Sequence, residues 1–428
     1  MAYLIIIPAI ILVACIRLWR PHKDAFISVI LALLMVLLAA SMILFPEPSF
    51  KAAERGLTVW WNIVLPALLP FFIAAELLMG MGVVHFIGVL MEPLMRPLFN
   101  VPGTGAFVLA MGIASGYPLG AALAARLKDD GLATKTEAER LMCFCNTSDP
   151  LFMTGAVAVG MFKRADLAGI IIAAHYLSGL SVGILMRFWR RNKDKRLSES
   201  PRHHDAGSPL ARAFRAMRKA QQEANKSLGE LLGEAVKRSI DTLLLVLGFM
   251  VLFSVIFEIL TLAGATSYIS RIISKAVPEW LLPRSLHQSV VSGLFEITIA
   301  SSLAAQADAP LIARVAVCSG IIAWSGLSVH AQVAAVIQPS GLSIWPYSVT
   351  RFVQGVLAAA YTVGLMKLDQ HRWTLPAFQA VYPKASWLHS LGAATKACLS
   401  GIALMALVCL ALAAGSQLKG HWYHRRKT

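Results

Sequence analysis

Charged residues are scarce in this sequence, and their scarcity excludes a soluble globular protein. Only 14% of the 428 residues are Asp, Glu, Lys or Arg, whereas 57% are hydrophobic. Soluble domains have about a quarter charged residues and about 45–50% apolar ones. The hydrophobic residues fall into blocks of about 20, the length with which a helix crosses a bilayer. We therefore expect an all-α polytopic membrane protein.

Cysteine is also rare, and the pattern of the six cysteines offers no metal site. Cys143 and Cys145 are close in the chain, but no second Cys or His pair with ligand spacing accompanies them. All six lie in or beside apolar stretches, which argues against a disulfide framework. Zinc-protease, P-loop and dinucleotide-binding motifs are missing as well. We expect no metal, no cofactor and no catalytic residues.

Acidic residues are outnumbered, since 39 Lys and Arg face 23 Asp and Glu, for a formal net charge of +16. The basic residues concentrate between Arg187 and Arg238 and in the tail around Arg425, beside hydrophobic spans. Positive charge at such places marks the cytoplasmic side of a membrane, and no stacking aromatics accompany it. The expected partner of these segments is therefore the lipid bilayer and not a nucleic acid.

The hydrophobic blocks and their Pro, Gly and charge breaks predict about nine transmembrane helices. They lie near residues 2–19, 24–45, 61–82, 141–161, 166–188, 240–263, 309–338, 345–368 and 389–415. Two further apolar stretches, residues 103–127 and 284–307, are interrupted by Gly, Ser and Pro, which favours re-entrant hairpins. With both hairpins non-crossing, the positive-inside rule places the basic insert and the C-terminus in the cytoplasm.

These segments predict five regions along the chain. They are an N-terminal transmembrane scaffold (1–60), a first repeat with its following helix (61–188), a basic cytoplasmic insert (189–238), a second repeat (239–340) and a C-terminal transmembrane scaffold with a basic tail (341–428). Residues 207–236 of the insert fit either a basic amphipathic helix on the membrane surface or a flexible charged linker.

The two repeats are related by a shift of 177 positions, which aligns Ser115 with Ser292 and Ser148 with Ser325 without a gap. Identities are few, but each copy reads as a helix, a broken hairpin and a helix interrupted by small polar residues. Counting membrane crossings, the first copy is entered from outside and the second from inside, so the copies are inverted. Inverted repeats with broken helices are typical of transporters, whose substrate lies where the unwound segments meet.

The first copy has two candidate substrate-binding segments. Ser115, Gly116, Tyr117 and Pro118 cannot continue a helix comfortably, so they could form a hairpin tip that presents N–H groups and hydroxyls. The alternative is a kink in which Gly112, Gly116 and Gly120 form a packing face. Asn146, Thr147 and Ser148, followed by Asp149 and Pro150, interrupt an apolar run, and the alternative there is a helix end in the headgroup region.

The second copy has its own candidates. Glu296 has apolar neighbours on both sides, with Thr298 beside it, and a carboxylate at membrane depth usually has a function because its burial is costly. Ser325 and Ser328 are three residues apart and share a helical face with each other. His330 could titrate near neutrality or donate to a carboxylate, and the alternative is a packing residue. Glu76 and His175 are weaker candidates.

The same segments resemble a known family. SGYPLGA, CNTSDPLF, SGLFEITIAS and SGIIAWSGLSVHAQV, as they stand in this chain, resemble the YlbJ-type sporulation integral membrane proteins, which carry the nucleoside-recognition Gate domain. The resemblance implies an architecture similar to concentrative nucleoside transporters, with the substrate at the hairpin tips and the following broken helices. It also implies transport of dipicolinic acid across the outer forespore membrane.

We therefore expect a carrier of a small anionic solute. An ion-coupled transporter of a nucleoside-like solute is the first alternative, with a proton or sodium as the coupling ion. A membrane enzyme that uses Glu296 and His330 as acid and base, and a non-transporting sensor or assembly protein, are alternatives of other classes. A homo-oligomer is compatible with any of them.

Overall fold

The computed structural model describes residues 23–190 and 208–368, and the chain in these ranges is helical without any strand. This confirms the all-α prediction for the described part. The predicted spans 2–19 and 389–415 and the basic tail lie outside the described residues, as does the part of the insert from 191 to 207.

The first half of the described chain contains nine helices. They are α1 (Lys23–Leu44), α2 (Pro46–Val59), α3 (Leu65–Gly80), α4 (Val83–Phe99), α5 (Gly105–Ser115), α6 (Leu119–Asp129), α7 (Lys135–Cys145), α8 (Phe152–Met161) and α9 (Ala168–Met186). A π-helical turn, Trp60–Val64, joins α2 to α3, and α8 is itself wound as a π-helix.

The second half, from residue 208 to 368, contains eight helices. They are α10 (Pro209–Ala224), α11 (Leu228–Leu262), α12 (Ala265–Ala276), α13 (His287–Phe295), α14 (Ile297–Gln306), α15 (Leu311–Trp324), α16 (Gly326–Ile337) and α17 (Ile344–Leu368). The basic segment around residue 215 is thus the helix α10, which packs on α4 through Phe214 and Phe86, whose rings lie 5.0 Å apart.

Four stretches of the described chain are long and apolar enough to cross a membrane: Ala165–Met186, Leu228–Leu262, Leu311–Ile337 and Ile344–Leu368. The number rises to six if two sharply bent helix pairs, α1 with α2 and α3 with α4, each count as one span. The predicted span 141–161 is absent from this group because it consists of two short helices, α7 and α8, separated by an extended segment.

The predicted span 61–82 is the end of a longer element that starts at Pro46. Prolines in the first turn of a helix lose no hydrogen bond, so α2 can begin at Pro46 and continue through the π-helical turn into α3. This element runs antiparallel to α11: Arg55 pairs with Glu258 (2.5 Å), and the Trp60 indole donates to the Leu243 carbonyl (3.0 Å). At the other end, Gly80 packs on Leu231.

No predicted span covers the helix α4, which contains Pro93 and Pro97. Gly82 has a φ of +74°, which ends α3 and allows α4 to start in a new direction, bent by 82°. Within α4, the Glu92 carboxylate pairs with Arg96 (2.6 Å) and also accepts the N–H of Gly103. These contacts help to stabilise α4 although it contains two prolines.

Both predicted hairpins fold back on themselves. In the first, α5 and α6 approach so closely that a Cβ on Gly112 would lie 3.5 Å from the Cα of Gly120. In the second, the Ser289 hydroxyl on α13 donates to the Ala300 carbonyl on α14 (2.7 Å), a contact that a continuous helix could not make across 11 residues. Ser289 is the residue 177 positions after Gly112, so the close approach recurs at equivalent positions.

The helices of the two halves correspond in order. A helix, a glycine turn and a second helix (α3, Gly82 and α4; α11, Gly264 and α12) precede the hairpin in each half. A broken helix (α7 and α8; α15 and α16) and a final helix (α9; α17) follow it. The antiparallel pairing of α3 with α11 gives the two equivalent first helices opposite directions. These observations support the prediction of an inverted repeat.

Candidate functional site

The first hairpin turns at the residues that sequence analysis selected. The helix α5 ends at Ser115, and Gly116 follows with a φ of +78°, which a side chain would strain. The Tyr117 hydroxyl donates to the carbonyl of Ile322 on α15 (3.0 Å), so the tip reaches the second repeat. The Ser115 hydroxyl is buried and has no hydrogen-bond partner in the structure.

The broken helix of the first repeat has an extended segment between α7 and α8. Asn146 is fully buried there, and protein groups satisfy its amide: its oxygen accepts the N–H of Ala121 (3.3 Å), and its nitrogen donates to the Tyr347 hydroxyl (3.0 Å). Thr147 donates to the carbonyl of Gly112 (3.3 Å). In this conformation both side chains hold the segment in place and do not face open space.

The rest of the segment is held from α9. The Ser148 N–H donates to Nε2 of His175 (3.0 Å), and the Ser148 carbonyl accepts from the Tyr176 hydroxyl (3.1 Å). The Asp149 carboxylate accepts the N–H of Phe152 (2.8 Å), which is the first residue of α8. Asp149 therefore caps the helix that restarts after the break.

The second hairpin turns at Glu296, which has extended backbone angles between α13 and α14. The Glu296 carboxylate accepts the N–H of Ile299 (2.7 Å) and thereby caps α14. A carboxylate thus occupies one helix N-terminus in each repeat, at the broken helix in the first and at the hairpin tip in the second.

The broken helix of the second repeat has a much shorter break. Ser325 and Gly326 have φ values of +71° and +69° and separate α15 from α16. The Ser325 hydroxyl pairs with the Tyr347 hydroxyl (3.2 Å). The His330 ring lies between Trp324 and Tyr347, with ring centroids 4.4 and 5.1 Å away, and its Nδ1 contacts the Gly326 carbonyl (2.8 Å).

All four breaks converge on one cavity of about 410 Å³. Its polar wall is built from both hairpins and both broken helices, and it consists of Tyr117, Ser148, Asp149, Glu296, Thr298, Ser325, Ser328 and Gln332. Its apolar wall includes residues of α2, α3 and α11, such as Val59, Leu68 and Met250. The breaks of the two repeats therefore face a shared space.

The structure divides the predicted site residues into two groups. Six of them line the cavity: Tyr117, Ser148, Glu296, Thr298, Ser325 and Ser328. The other six do not line it and lie in the surrounding shell: Ser115, Gly116, Pro118, Asn146, Thr147 and His330. Of these, Gly116 packs directly on Asp149, since a Cβ there would lie 2.9 Å from the Asp149 Oδ2.

Two polar lining residues and one residue behind the wall were absent from the predicted site. Asp149 and Gln332 line the cavity. Arg351 on α17 is fully buried and donates to the carbonyls of Asn146 (2.9 Å) and Cys143. The signal for Arg351 was available in the sequence, because it is a charged residue inside a predicted span.

The ionisable side chains in the cavity wall are acidic. Among the residues that the structure describes, the lining includes the two carboxylates of Asp149 and Glu296 and no Lys, Arg or His. The weaker candidate Glu76 lies elsewhere and pairs with Arg126, whereas His175 supports Ser148 from outside the cavity. An anion in this cavity therefore needs both a positive charge nearby and some neutralisation of the carboxylates.

The described residues contain no group of three His, Cys, Asp or Glu side chains that could hold a metal ion. Cys143, Cys145 and Cys318 are buried, free thiols.

Comparison with known proteins gives two matches. The family model described as Gate, nucleoside recognition, matches residues 62–165, which run from the start of α3 through the first hairpin and first broken helix. The sporulation integral membrane protein YlbJ of Bacillus subtilis (strain 168) is 42% identical over 356 residues, which cover 83% of this chain and 86% of that protein. No solved structure gives a significant match.

Proposed function

Because the chain belongs to the family of the sporulation integral membrane protein YlbJ, we propose that it is a carrier of a small anionic solute. The observation that carries this proposal is the convergence of four helix breaks, two from each repeat, on one cavity. Broken helices from inverted repeats form the substrate sites of many secondary transporters. The Gate match to the first repeat supports the same assignment.

The solute we propose is dipicolinic acid, carried across the outer forespore membrane during sporulation. The relative's name supports a role in sporulation. Dipicolinate is a small planar dianion with a pyridine ring. The cavity of about 410 Å³ lies within the usual size range of ligand sites. Its apolar wall suits the ring, and the hydroxyls of Thr298, Ser325 and Ser328 suit the carboxylates.

A coupling cation is part of the proposal, because a dianion would be repelled by ionised Asp149 and Glu296. We expect a proton or sodium ion to accompany the solute and to neutralise these carboxylates while the cavity is occupied. Each of the two carboxylates accepts a backbone N–H at the start of a helix, and both side chains line the cavity. Transport then requires the hairpins and broken helices to move against the surrounding helices.

The test is flux in proteoliposomes that contain the purified protein. We expect dipicolinate to enter these vesicles faster than protein-free vesicles and to be recovered chemically unchanged. Recovery of an altered product would support the membrane-enzyme alternative. Tight binding without any flux would support the sensor alternative, and absence of both binding and flux would contradict the proposal.

A neutral nucleoside-like solute is the second candidate. It is favoured by the same acidic wall, since two carboxylates and the Gln332 amide can accept and donate hydrogen bonds to sugar hydroxyls and a base without charge repulsion. Competition separates the candidates: we expect excess dipicolinate, and not excess nucleoside, to block flux of labelled dipicolinate. Inhibition by nucleosides alone would favour the second candidate.

A further inference from the structure

Arg351 is a buried cation in the middle of the polar core, and its charge has no acidic partner among the described residues. Its side chain is fully buried. No carboxylate of the described chain lies within ion-pair distance of its guanidinium, which instead donates to the main-chain carbonyls of Asn146 and Cys143. Its Nε has no hydrogen-bond partner within the described part of the chain. Arginine remains protonated in proteins, so the charge is permanent.

The position of Arg351 is immediately behind the cavity wall. It holds the carbonyl of Asn146, and Ser148 and Asp149, two and three residues further along the chain, line the cavity. On its other side, the guanidinium lies 5.2 Å from the centre of the Tyr347 ring, whose hydroxyl pairs with the cavity residue Ser325. Arg351 therefore contacts groups that are next to lining residues of the cavity, either along the chain or through a hydrogen bond.

A cap for α7 alone would not require this charge. The free carbonyls at a helix C-terminus can be satisfied by neutral donors or by water, whereas a buried charge in a membrane protein is costly and usually functional. In the first repeat, the position equivalent to Arg351 is Ala174, which is also fully buried. The two repeats thus share the helix but not the cation.

We propose that Arg351 is the residue that makes the cavity selective for anions. This inference rests on the proposed function and deepens it by assigning the positive charge that the acidic wall lacks. The charge acts across the thin wall in a region of low dielectric constant, where electrostatic interactions are screened far less than in water. It favours a carboxylate ligand over an uncharged ligand of the same shape.

The experiment compares two ligands of one shape, the dianion dipicolinate and its neutral diamide, pyridine-2,6-dicarboxamide. Binding of both is measured by calorimetry on purified protein. We expect Arg351→Gln to weaken dipicolinate binding by about 30-fold, or about 2 kcal/mol, and diamide binding by less than about threefold. Arg351→Lys should keep most of the preference for the dianion, because it keeps the charge.

Arg140→Gln is the matched control. Arg140 is also fully buried and also donates to main-chain carbonyls, those of Trp189 and Asn100, but neither of these two residues is next to a residue that lines the cavity. We expect this change to leave the ratio of the two affinities unaltered, whatever it does to stability. A general loss of folding would weaken both ligands together, so the ratio distinguishes selectivity from structure.

Arg351→Gln that weakens both ligands equally would overturn the inference while leaving the proposed carrier intact, because wild-type protein would still bind dipicolinate. Wild-type protein that binds neither ligand, or binds only the diamide, would contradict the proposed function as well. If Arg351→Gln does not fold, the ligand affinities of the wild type and of Arg351→Lys still test the inference. Both must prefer dipicolinate to the monoanion picolinate and picolinate to the diamide, and the reverse order contradicts the inference.

Discussion

The two repeats have the same order of helices but break their central helices in different ways. In the first repeat, residues 146–149 are extended, and side chains from α9 and α17 hold them. In the second repeat, the break consists of Ser325 and Gly326 in left-handed conformation. The long break leaves more backbone groups to satisfy. Tyr347 and Arg351 on α17, which follows the second repeat, supply part of this support.

The tips of the two hairpins also differ, in their charge. The first hairpin turns at Gly116 and Pro118, where no side chain carries a charge, whereas the second turns at a carboxylate, Glu296. In each repeat one carboxylate caps one restarting helix, but the location is exchanged: Asp149 serves the broken helix and Glu296 serves the hairpin. Symmetry of the backbone therefore does not extend to the chemistry of the cavity.

The largest expected effect concerns Gly112, where the first hairpin is in close contact with the end of α7. A Cβ on Gly112 would collide with the Cys145 carbonyl oxygen, so Gly112→Ala should destabilise the protein by about 3 kcal/mol. The equivalent change in the second repeat, Ser289→Ala, removes one hydrogen bond to Ala300 and should cost only about 1 kcal/mol. Thermal unfolding in detergent measures both. Equal costs would show that the contact at Gly112 leaves no less room than the one at Ser289.

The next prediction concerns the contact that joins the two breaks. Tyr347→Phe removes the hydroxyl shared by Asn146 and Ser325 and should destabilise the protein by about 2 kcal/mol, since buried partners are left unsatisfied. Tyr361→Phe on the same helix is the control, because it removes only a half-buried bond to Ser181 (2.9 Å). If Tyr347→Phe lowers the free energy of unfolding no more than Tyr361→Phe does, the two breaks are held in place independently of each other.

The third prediction compares the two carboxylates. Glu296→Gln should insert and fold but lower solute flux by at least about tenfold, because hydrogen bonds to charged groups contribute about 1.5–3 kcal/mol. Asp149→Asn is the companion change in the first repeat, and its loss should be similar if both carboxylates take part in coupling. Flux at wild-type level in Glu296→Gln would remove Glu296 from the mechanism.

The smallest expected effect concerns the hydrogen bond between Ser340 and Asp129. The Ser340 hydroxyl donates to the Asp129 carboxylate and, with Lys128 nearby, holds the pKa of this exposed group below its usual value. The equivalent residue in the second repeat, Gln306, bonds within its own helix to Ser302 (3.0 Å). The stabilisation by the link should be present at neutral pH and disappear as the pH falls through the lowered pKa.

Ser340→Ala tests this link by its pH dependence. The loss of unfolding free energy at neutral pH should be less than about 0.5 kcal/mol, because the carboxylate is exposed and screened by solvent. The loss should vanish in acid, where Asp129 is protonated in both states. A difference between the two proteins that grows on acidification would contradict the assignment.

The sequence predicted most of the architecture that positions the cavity. Helix breakers inside apolar runs located both hairpins, and the 177-residue shift located the matching helices of both repeats. The missed helix α4 and the early start of α2 share one cause, since both contain prolines and charges that favour a loop. Neighbouring elements stabilise these helices, and such contacts are not visible in local sequence.

The candidate site was predicted less completely, because polarity alone does not show which side of a segment faces the cavity. Asn146 was predicted as a site residue because it is an amide in an apolar run. Its side-chain N–H, however, donates to the Tyr347 hydroxyl, 201 residues away in the chain, and does not face the cavity. Arg351 was overlooked although the rule that selected Glu296 applies to it equally. Charge within a predicted span is not a sufficient guide by itself either, because Glu76 pairs with Arg126 away from the cavity.

The most direct test of the shared cavity is protection of introduced cysteines by the solute. Thr298→Cys and Ser328→Cys place a thiol in the cavity wall from the second hairpin and from α16. Ser285→Cys, on the exposed surface before α13, is the control. Dipicolinate should slow the modification of both cavity thiols by a small thiol reagent and leave Ser285→Cys unaffected. Unchanged reactivity of both cavity thiols at saturating dipicolinate would contradict the account.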